Sequence, residues 1–414
     1  MFKNLLQNNA YNLTDIRISN VIVLQLYLLA CKNMLVGTND FFYGFNELFN
    51  NIITVIFILI YLKLFLFSAI LKKIKAETIL FIFFILIFFI LTVTFDVERF
   101  TLDYFPYTYV KRQLRTFIAY CLPLFFVTMA LDSTDYLVKK LFDCTFPCFV
   151  IATISFFFAI QNNESNNYSM SYGYAIMLVA VILLFKYSHT KRFWDLAQFL
   201  LITLYILLEG SRGPLFCIAV AVTCALLVNS SGTKKIIFIA VAFISCIICF
   251  IFYQDILDFI ASVLEKFGIY SRTLYMLLEN NITSDSDRSL YHKTLLEALN
   301  KSPILGLGAF GGESVVGLAH SLYIDILANF GYIFGTAFIV YIIGKDVYLI
   351  FKNKGTSYSE LLLILSVIIL PRGIFDDAFW SAKELWMIMA LFIQGKYYVK
   401  NKLFNYGKKQ LNSE

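Results

Sequence analysis

Three stretches of the 414-residue chain hold side-chain types suited to chemistry: two arginines and a histidine, each at the edge of an apolar run. The first is LEGSRGPLF, where Glu209, Gly210, Ser211, Arg212, Gly213 and Pro214 form a tight turn between two apolar segments. The second is SDSDRSLYHKTLLEALNKSPILGLGAFG. In a helix starting at Asp287, Arg288, Tyr291, His292, Leu295 and Leu299 share one face, so a guanidinium and an imidazole sit at the polar end of an apolar stripe. The third is AHSLYIDILANFGYIFG, opened by His320. A guanidinium matches phosphate oxygens bidentately and never loses its charge, and a neutral imidazole accepts a proton near neutral pH. Two arginines beside one histidine therefore suit transfer from a diphosphate leaving group to a hydroxyl, with the arginines stabilising the departing charge.

Each residue also has a structural reading. Arg212 could be an interfacial arginine paired with Glu209, and a lone interfacial histidine is commonly structural. In LPRGIFDDAFW, Arg372 lies close to Asp376 and Asp377, and an internal salt bridge is favoured there over catalysis. Gly306, Gly308, Gly311 and Gly312 allow a sharp backbone turn but lack the strand-to-helix context of a phosphate-binding loop.

The elements that must position these residues are membrane helices. The chain is 59% hydrophobic and 15% charged, which excludes an ordinary soluble domain. Gly and Pro are few, as helices whose backbone groups pair internally require. Apolar runs predict about 12 transmembrane helices, near 18–36, 51–71, 77–95, 114–131, 145–160, 171–187, 194–209, 213–228, 235–253, 320–343, 358–375 and 378–395. The fold class is an all-α polytopic membrane protein with one long helical outer loop. Residues 1–253 form an N-terminal bundle of about nine spans, 254–319 the outer loop, and 320–414 about three further spans with a basic tail.

Charge orients the bundle. Lys72, Lys73, Lys75, Lys139, Lys140, Lys186, Lys191, Arg192, Lys234, Lys235, Lys345, Lys352, Lys354 and the basic tail fall on one side, which is cytoplasmic together with both termini. Segment 96–113, with Arg99, Lys111 and Arg112, breaks this bias on the outer side. The net charge of +6 thus reflects membrane topology, and no nucleic-acid partner is expected. The eight cysteines lie almost wholly in apolar segments, and Cys246 and Cys249 read as inert thiols. No removable signal peptide and no internal repeat are expected. Within the long loop, Ile256, Phe259, Ile260, Val263 and Phe267 recur at helical spacing and predict an interfacial helix.

GSRGP at the head of one apolar run, R-x-x-x-x-K-x-L-L-x-A-L followed by SPILGLGAFG, and AHSLYIDILANFGYIFG at the next run together resemble the O-antigen polymerase and ligase superfamily. The resemblance covers about a quarter of the chain, from Glu209 to Gly335. It implies a metal-independent, C-type membrane glycosyltransferase in the bacterial inner membrane, acting on undecaprenyl-diphosphate-linked oligosaccharides without a cofactor. Arg212 and Arg288 match the diphosphate-binding arginines, and His320 matches the histidine that activates the acceptor hydroxyl. Tyr291, His292, Arg272 and Arg372 are accessory candidates. Two positions depart from the family pattern: Ser321 stands where Asn often follows the histidine, and Tyr291 where Trp is common. A polymerase, transferring glycan onto the terminal sugar of another carrier-linked repeat unit, is preferred to a ligase that uses the lipid A core. The resemblance also implies a flippase and a chain-length regulator of the same pathway as partners. The rival readings are a metal-dependent glycosyltransferase using Asp96 and Glu98, and a transporter such as a glycolipid flippase, for which Lys32 and Lys63 are the main deep charges.

Overall fold

The computed structural model describes residues 12–38, 40–67, 76–101, 105–161, 170–209, 212–229 and 287–395, with isolated positions at 258, 261–262 and 266. The span expected at 235–253, most of the interfacial helix expected near 256–267, and Arg272 lie outside them. All described regular structure is helical. Six helices are long and apolar enough to cross a bilayer: Leu13–Val36, Asn46–Leu66, Ala76–Phe95, Asp135–Phe158, Met170–Thr190 and Leu322–Lys352. Phe193–Leu208 and Arg212–Val228 are shorter apolar helices. The chain is a polytopic membrane protein.

We label the elements α1 (Leu13–Val36), α2 (Asn46–Phe67), α3 (Ala76–Phe95), α4 (Tyr107–Thr116), α5 (Asp135–Asp143), α6 (Thr145–Gln161), α7 (Met170–Thr190), α8 (Phe193–Glu209), α9 (Arg212–Asn229), α10 (Asp287–Leu299), α11 (Gly311–Val316), α12 (Leu322–Lys352) and α13 (Ser357–Arg372). A last helix, α14, runs over 383–395. These elements fall into two compact units that interleave along the chain. The first comprises Met1–Ala10, Val23–Asn51 and Lys139–Ser286; the second comprises Tyr11–Ile22, Ile52–Val138 and Asp287–Glu414.

In the first unit α7 is the central helix, buried over most of its length and packed against α8 and α9. A helix that is apolar all round belongs in such a position. The Lys186 ammonium pairs with Asp195 at 3.4 Å across the turn between α7 and α8, and the Thr190 hydroxyl donates to the same carboxylate at 2.6 Å. Tyr27 donates to the Leu141 carbonyl and Cys31 lies against Cys148, so these stretches of α1 and of α5–α6 run in the same direction. Lys32, one of the deep charges, donates to the Asn50 side chain at 2.8 Å.

The second unit is built on aromatic packing. Trp380 and Trp386 are fully buried. Around Trp380 lie Phe88, Phe89, Phe117, Phe310 and Phe379, with ring centroids 4.9 to 6.3 Å away. Such rings bring large apolar area and edge-to-face contacts, and three of their carriers, Phe310, Phe379 and Trp380, belong to non-helical segments that must be held in place. By contrast α3 exposes Phe83, Phe84, Leu86, Ile87 and Ile90, the outward apolar surface of a helix facing lipid.

Candidate functional site

The apolar run opened by His320 is not one straight helix. Gly331 has φ +80° and ψ 171°, which breaks α12 into segments 322–330 and 332–352. At about 1.5 Å per residue the first is too short to cross a bilayer, and the second alone is long enough. Only glycine fits the break, because a Cβ there would collide with the Ile304 carbonyl. The expectation of a continuous span over 320–343 is corrected accordingly.

The glycine-rich loop fills the break. Helix ends leave carbonyls and N–H groups without partners, and the loop supplies them. Leu307 N–H donates to Ala328 O at 2.7 Å and Gly308 N–H to Asn329 O at 3.2 Å, while Tyr332 N–H donates to Pro303 O at 2.7 Å. Arg99 locks the loop from outside: its Nη1 donates to Leu307 O at 3.0 Å and Ala309 O at 2.7 Å, while Nε and Nη2 hold Asp96. Ala309 N–H donates to the Thr92 hydroxyl near the end of α3 at 2.9 Å. Arg99, which violates the charge bias, is therefore a buried clamp.

Beneath the loop lies a buried polar network. Asp325 accepts from Phe379 N–H at 2.7 Å and from Asn329 Nδ2 at 3.1 Å. Asn329 Oδ1 accepts from Trp380 Nε1 at 2.8 Å and from Gly311 N–H at 3.2 Å. Glu313 is completely buried and neither carboxyl oxygen has a hydrogen-bond partner. Burial pushes its carboxyl well above the usual range, the nearby Asp325 adds to the rise, and Arg99 opposes it.

His320 sits on top of this frame. Its φ of +51° is left-handed, as are those of Phe310 (+58°) and Asp377 (+80°). For side chains other than glycine such backbone costs on the order of 1–3 kcal/mol and persists where the surroundings over-determine it. Those surroundings are the turn after α13. Leu322 N–H donates to Gly373 O at 2.8 Å, Ser321 Oγ to the same oxygen at 3.2 Å, and the Tyr323 hydroxyl to Leu370 O at 2.7 Å. Ser321 also caps the start of α12. The result brings His320 Nδ1 to 3.8 Å from Asp376 Oδ1. Arg372 supports the same carboxylates, with Nη2 3.4 Å from Asp376 and Nε 3.0 Å from Asp377. Burial raises the Asp376 carboxyl, but His320 and Arg372 more than offset this and bring it down to about 2. Asp377, for which burial wins over Arg372, is pushed up to about 6.

The face of α10 expected from spacing closes over this turn. Leu295 and Leu299 are fully buried, and Leu295 packs with Val316, Ala319 and Ala328. His292 Nε2 lies 2.9 Å from Ala319 O, so its ring pins the peptide next to His320. Burial lowers the His292 imidazole below its ordinary value, with the charges of His320 and Arg288 adding to the drop, so the neutral ring donates that bond. The Tyr291 ring lies nearly parallel to His320, 17° apart with centroids separated by 6.2 Å. Arg288, half-buried, is one turn before these residues on the same face.

Residues 197–340 match the family model described as O-antigen ligase, Wzy_C. This stretch of the chain is an O-antigen ligase family domain. No curated protein and no solved structure matches the chain. The O-antigen ligase family is one of membrane glycosyltransferases, polymerases and ligases alike, which act on lipid-linked glycans.

Within the domain, Arg288, Tyr291, His292 and His320 are brought together, and Arg372 joins them from beyond its C-terminal limit. Arg212 is the first residue of α9 and is exposed, in the first unit, whereas the other described candidates belong to the second. The internal salt bridge expected at LPRGIFDDAFW is present, and it also reaches His320 through Asp376. Sequence reasoning missed Asp376 as a histidine partner, and its proximity to Arg372 was the only signal. It also missed Arg99 and the Asp325–Asn329–Trp380 network. Asp96, proposed as a metal ligand by the rival reading, is taken by Arg99. Among the described residues no group of three His, Cys, Asp or Glu side chains could hold a metal ion.

Proposed function

We propose that this protein is an O-antigen polymerase, transferring glycan from undecaprenyl diphosphate onto the terminal sugar of another carrier-linked repeat unit at the outer face of the bacterial inner membrane. The observation that carries this reading is the pairing of His320 with Asp376 in a turn fixed by three hydrogen bonds, beside the helix face that carries Arg288.

With Nδ1 turned to the carboxylate, His320 keeps Nε2 for the acceptor. The acceptor hydroxyl gives its proton to Nε2 as its oxygen forms a bond to the anomeric carbon of the donor glycan. The bond from that carbon to the diphosphate oxygen breaks, and the electron pair leaves with the carrier. Asp376 stabilises the imidazolium that forms, in the manner of a carboxylate behind a general base. Arg288 holds the diphosphate and stabilises its charge as it leaves. No cofactor or metal is needed for these steps. The reading includes about 12 spans, both termini in the cytoplasm, the outer loop over 254–319, and action beside a flippase and a chain-length regulator.

Purified protein in proteoliposomes, supplied with undecaprenyl-diphosphate-linked repeat units and no lipid A core, tests it. Polymerase activity is elongation of the carrier-linked glycan, unchanged by EDTA and lost in His320→Ala. A ligase would transfer glycan only when core is added, and a transporter would move substrate without forming a bond.

A further inference from the structure

The break in the charge bias at 96–113 has two parts. Arg99 is consumed as a buried clamp, but α4 carries a second group of cations with a different character. Its Val110 is fully buried, whereas Arg112 and Arg115, three residues apart on one helical face, are exposed. Lys111 donates to Thr101 O at 3.0 Å and ties the helix to the preceding turn. Among the described residues the Arg112 guanidinium has no ion-pair partner, and Asp96, the carboxylate of the preceding turn, is held by Arg99. Topology gives no general reason for a basic helix on the translocated side, where lysine and arginine are disfavoured.

The position of α4 relates it to the site. It packs against α11, and a Cβ added at Gly317, three residues before His320, would lie 3.1 Å from the Phe105 and Tyr109 rings. The basic face thus stands at the same end of the second unit as His320, Arg372 and Asp376.

A polymerase must hold two carrier lipids at once. The diphosphate of the donor leaves, whereas that of the acceptor undergoes no bond change and needs only to be held. Two guanidinium forks one turn apart suit two linked phosphate groups. We infer that α4, through Arg112 and Arg115, binds the diphosphate of the acceptor's polyprenyl carrier. The inference rests on the transferase reading. Arg112 and Arg115 are then binding residues for the lipid that stays, distinct from Arg288.

Native mass spectrometry of the purified protein with undecaprenyl diphosphate counts the carriers retained. The wild type should hold two, Arg112→Glu/Arg115→Glu one, and Arg288→Glu one. In elongation assays the Arg112→Glu/Arg115→Glu variant should need at least about tenfold more substrate for half-saturation, with kcat nearly kept. Arg112→Lys/Arg115→Lys, which keeps charge but not the forks, should fall between. Retention of two carriers by the glutamate variant would overturn the inference and leave the transferase reading standing. Equal occupancy by phosphatidylglycerol would overturn it too, since α4 would then attract any anionic headgroup. A wild type that elongates nothing would overturn both.

Discussion

Asp376→Asn keeps the shape of the side chain and removes the charge facing His320. The two groups are 3.8 Å apart, with the histidine 24% and the aspartate 17% exposed. Unit charges at about 4 Å interact by about 1 kcal/mol in water and about 4 kcal/mol at an effective dielectric constant near 20, and this partly open site lies between. An imidazolium formed during transfer should therefore lose about 2 kcal/mol of stabilisation, about a 30-fold fall in kcat. Half-saturation should change little, because the charge develops only as the bond forms. With a carboxyl near 2, Asp376 is ionised throughout the neutral range, so the charge that the substitution removes is present at every pH from 6 to 8. Elongation kinetics in proteoliposomes give the number. In a His320→Ala background the asparagine substitution should cost nothing more, since its effect runs through the imidazole. A kcat within twofold of wild type, or a full second loss on top of His320→Ala, would refute the reasoning.

Gly331→Ala should cost about 3 kcal/mol or more, since φ is +80° and the new Cβ meets the Ile304 carbonyl; thermal denaturation in detergent checks this, with Gly344→Ala, which meets nothing within 4 Å, as the neutral control. Arg99→Ala should free the glycine-rich loop by losing two charged hydrogen bonds, each on the order of 1.5–3 kcal/mol, and limited proteolysis should cut at 303–309 before the helices open. Glu313 has a raised carboxyl, so its folded form binds a proton more tightly than its unfolded form, and its contribution is full below the ordinary value of 4.5 and declines as pH rises above it. Glu313→Gln should accordingly match wild type at pH 4 and gain relative stability toward pH 7, as denaturation midpoints across pH would show.

Composition and hydropathy were enough to read an all-helical membrane protein, because long unbroken apolar runs satisfy their backbone in lipid as helices, whereas a barrel needs short strands of alternating polarity. The face Arg288–Tyr291–His292–Leu295–Leu299 was equally legible, since helical period alone places those side chains together. The break at Gly331 was not. Apolar content is the same on both sides of it, and what selects the bend is a hydrogen-bonded loop from 303–309 that no local pattern announces. For the same reason Arg99 read as an exception to a topological bias when its role is to bind carbonyls roughly 200 residues later in the chain. The His320–Asp376 pairing depends on α13 and its following turn meeting the start of α12, a tertiary contact hidden from sequence, although both residues stood out by type.

The most direct measurement is the length of surface glycan in cells whose only copy carries His320→Ala at wild-type protein level. Polymerisation through this imidazole requires the surface glycan to collapse to a single repeat unit on the core. An undiminished ladder of long chains would contradict it, and carrier-linked polymer accumulating without reaching the core would assign the same residues to a ligase.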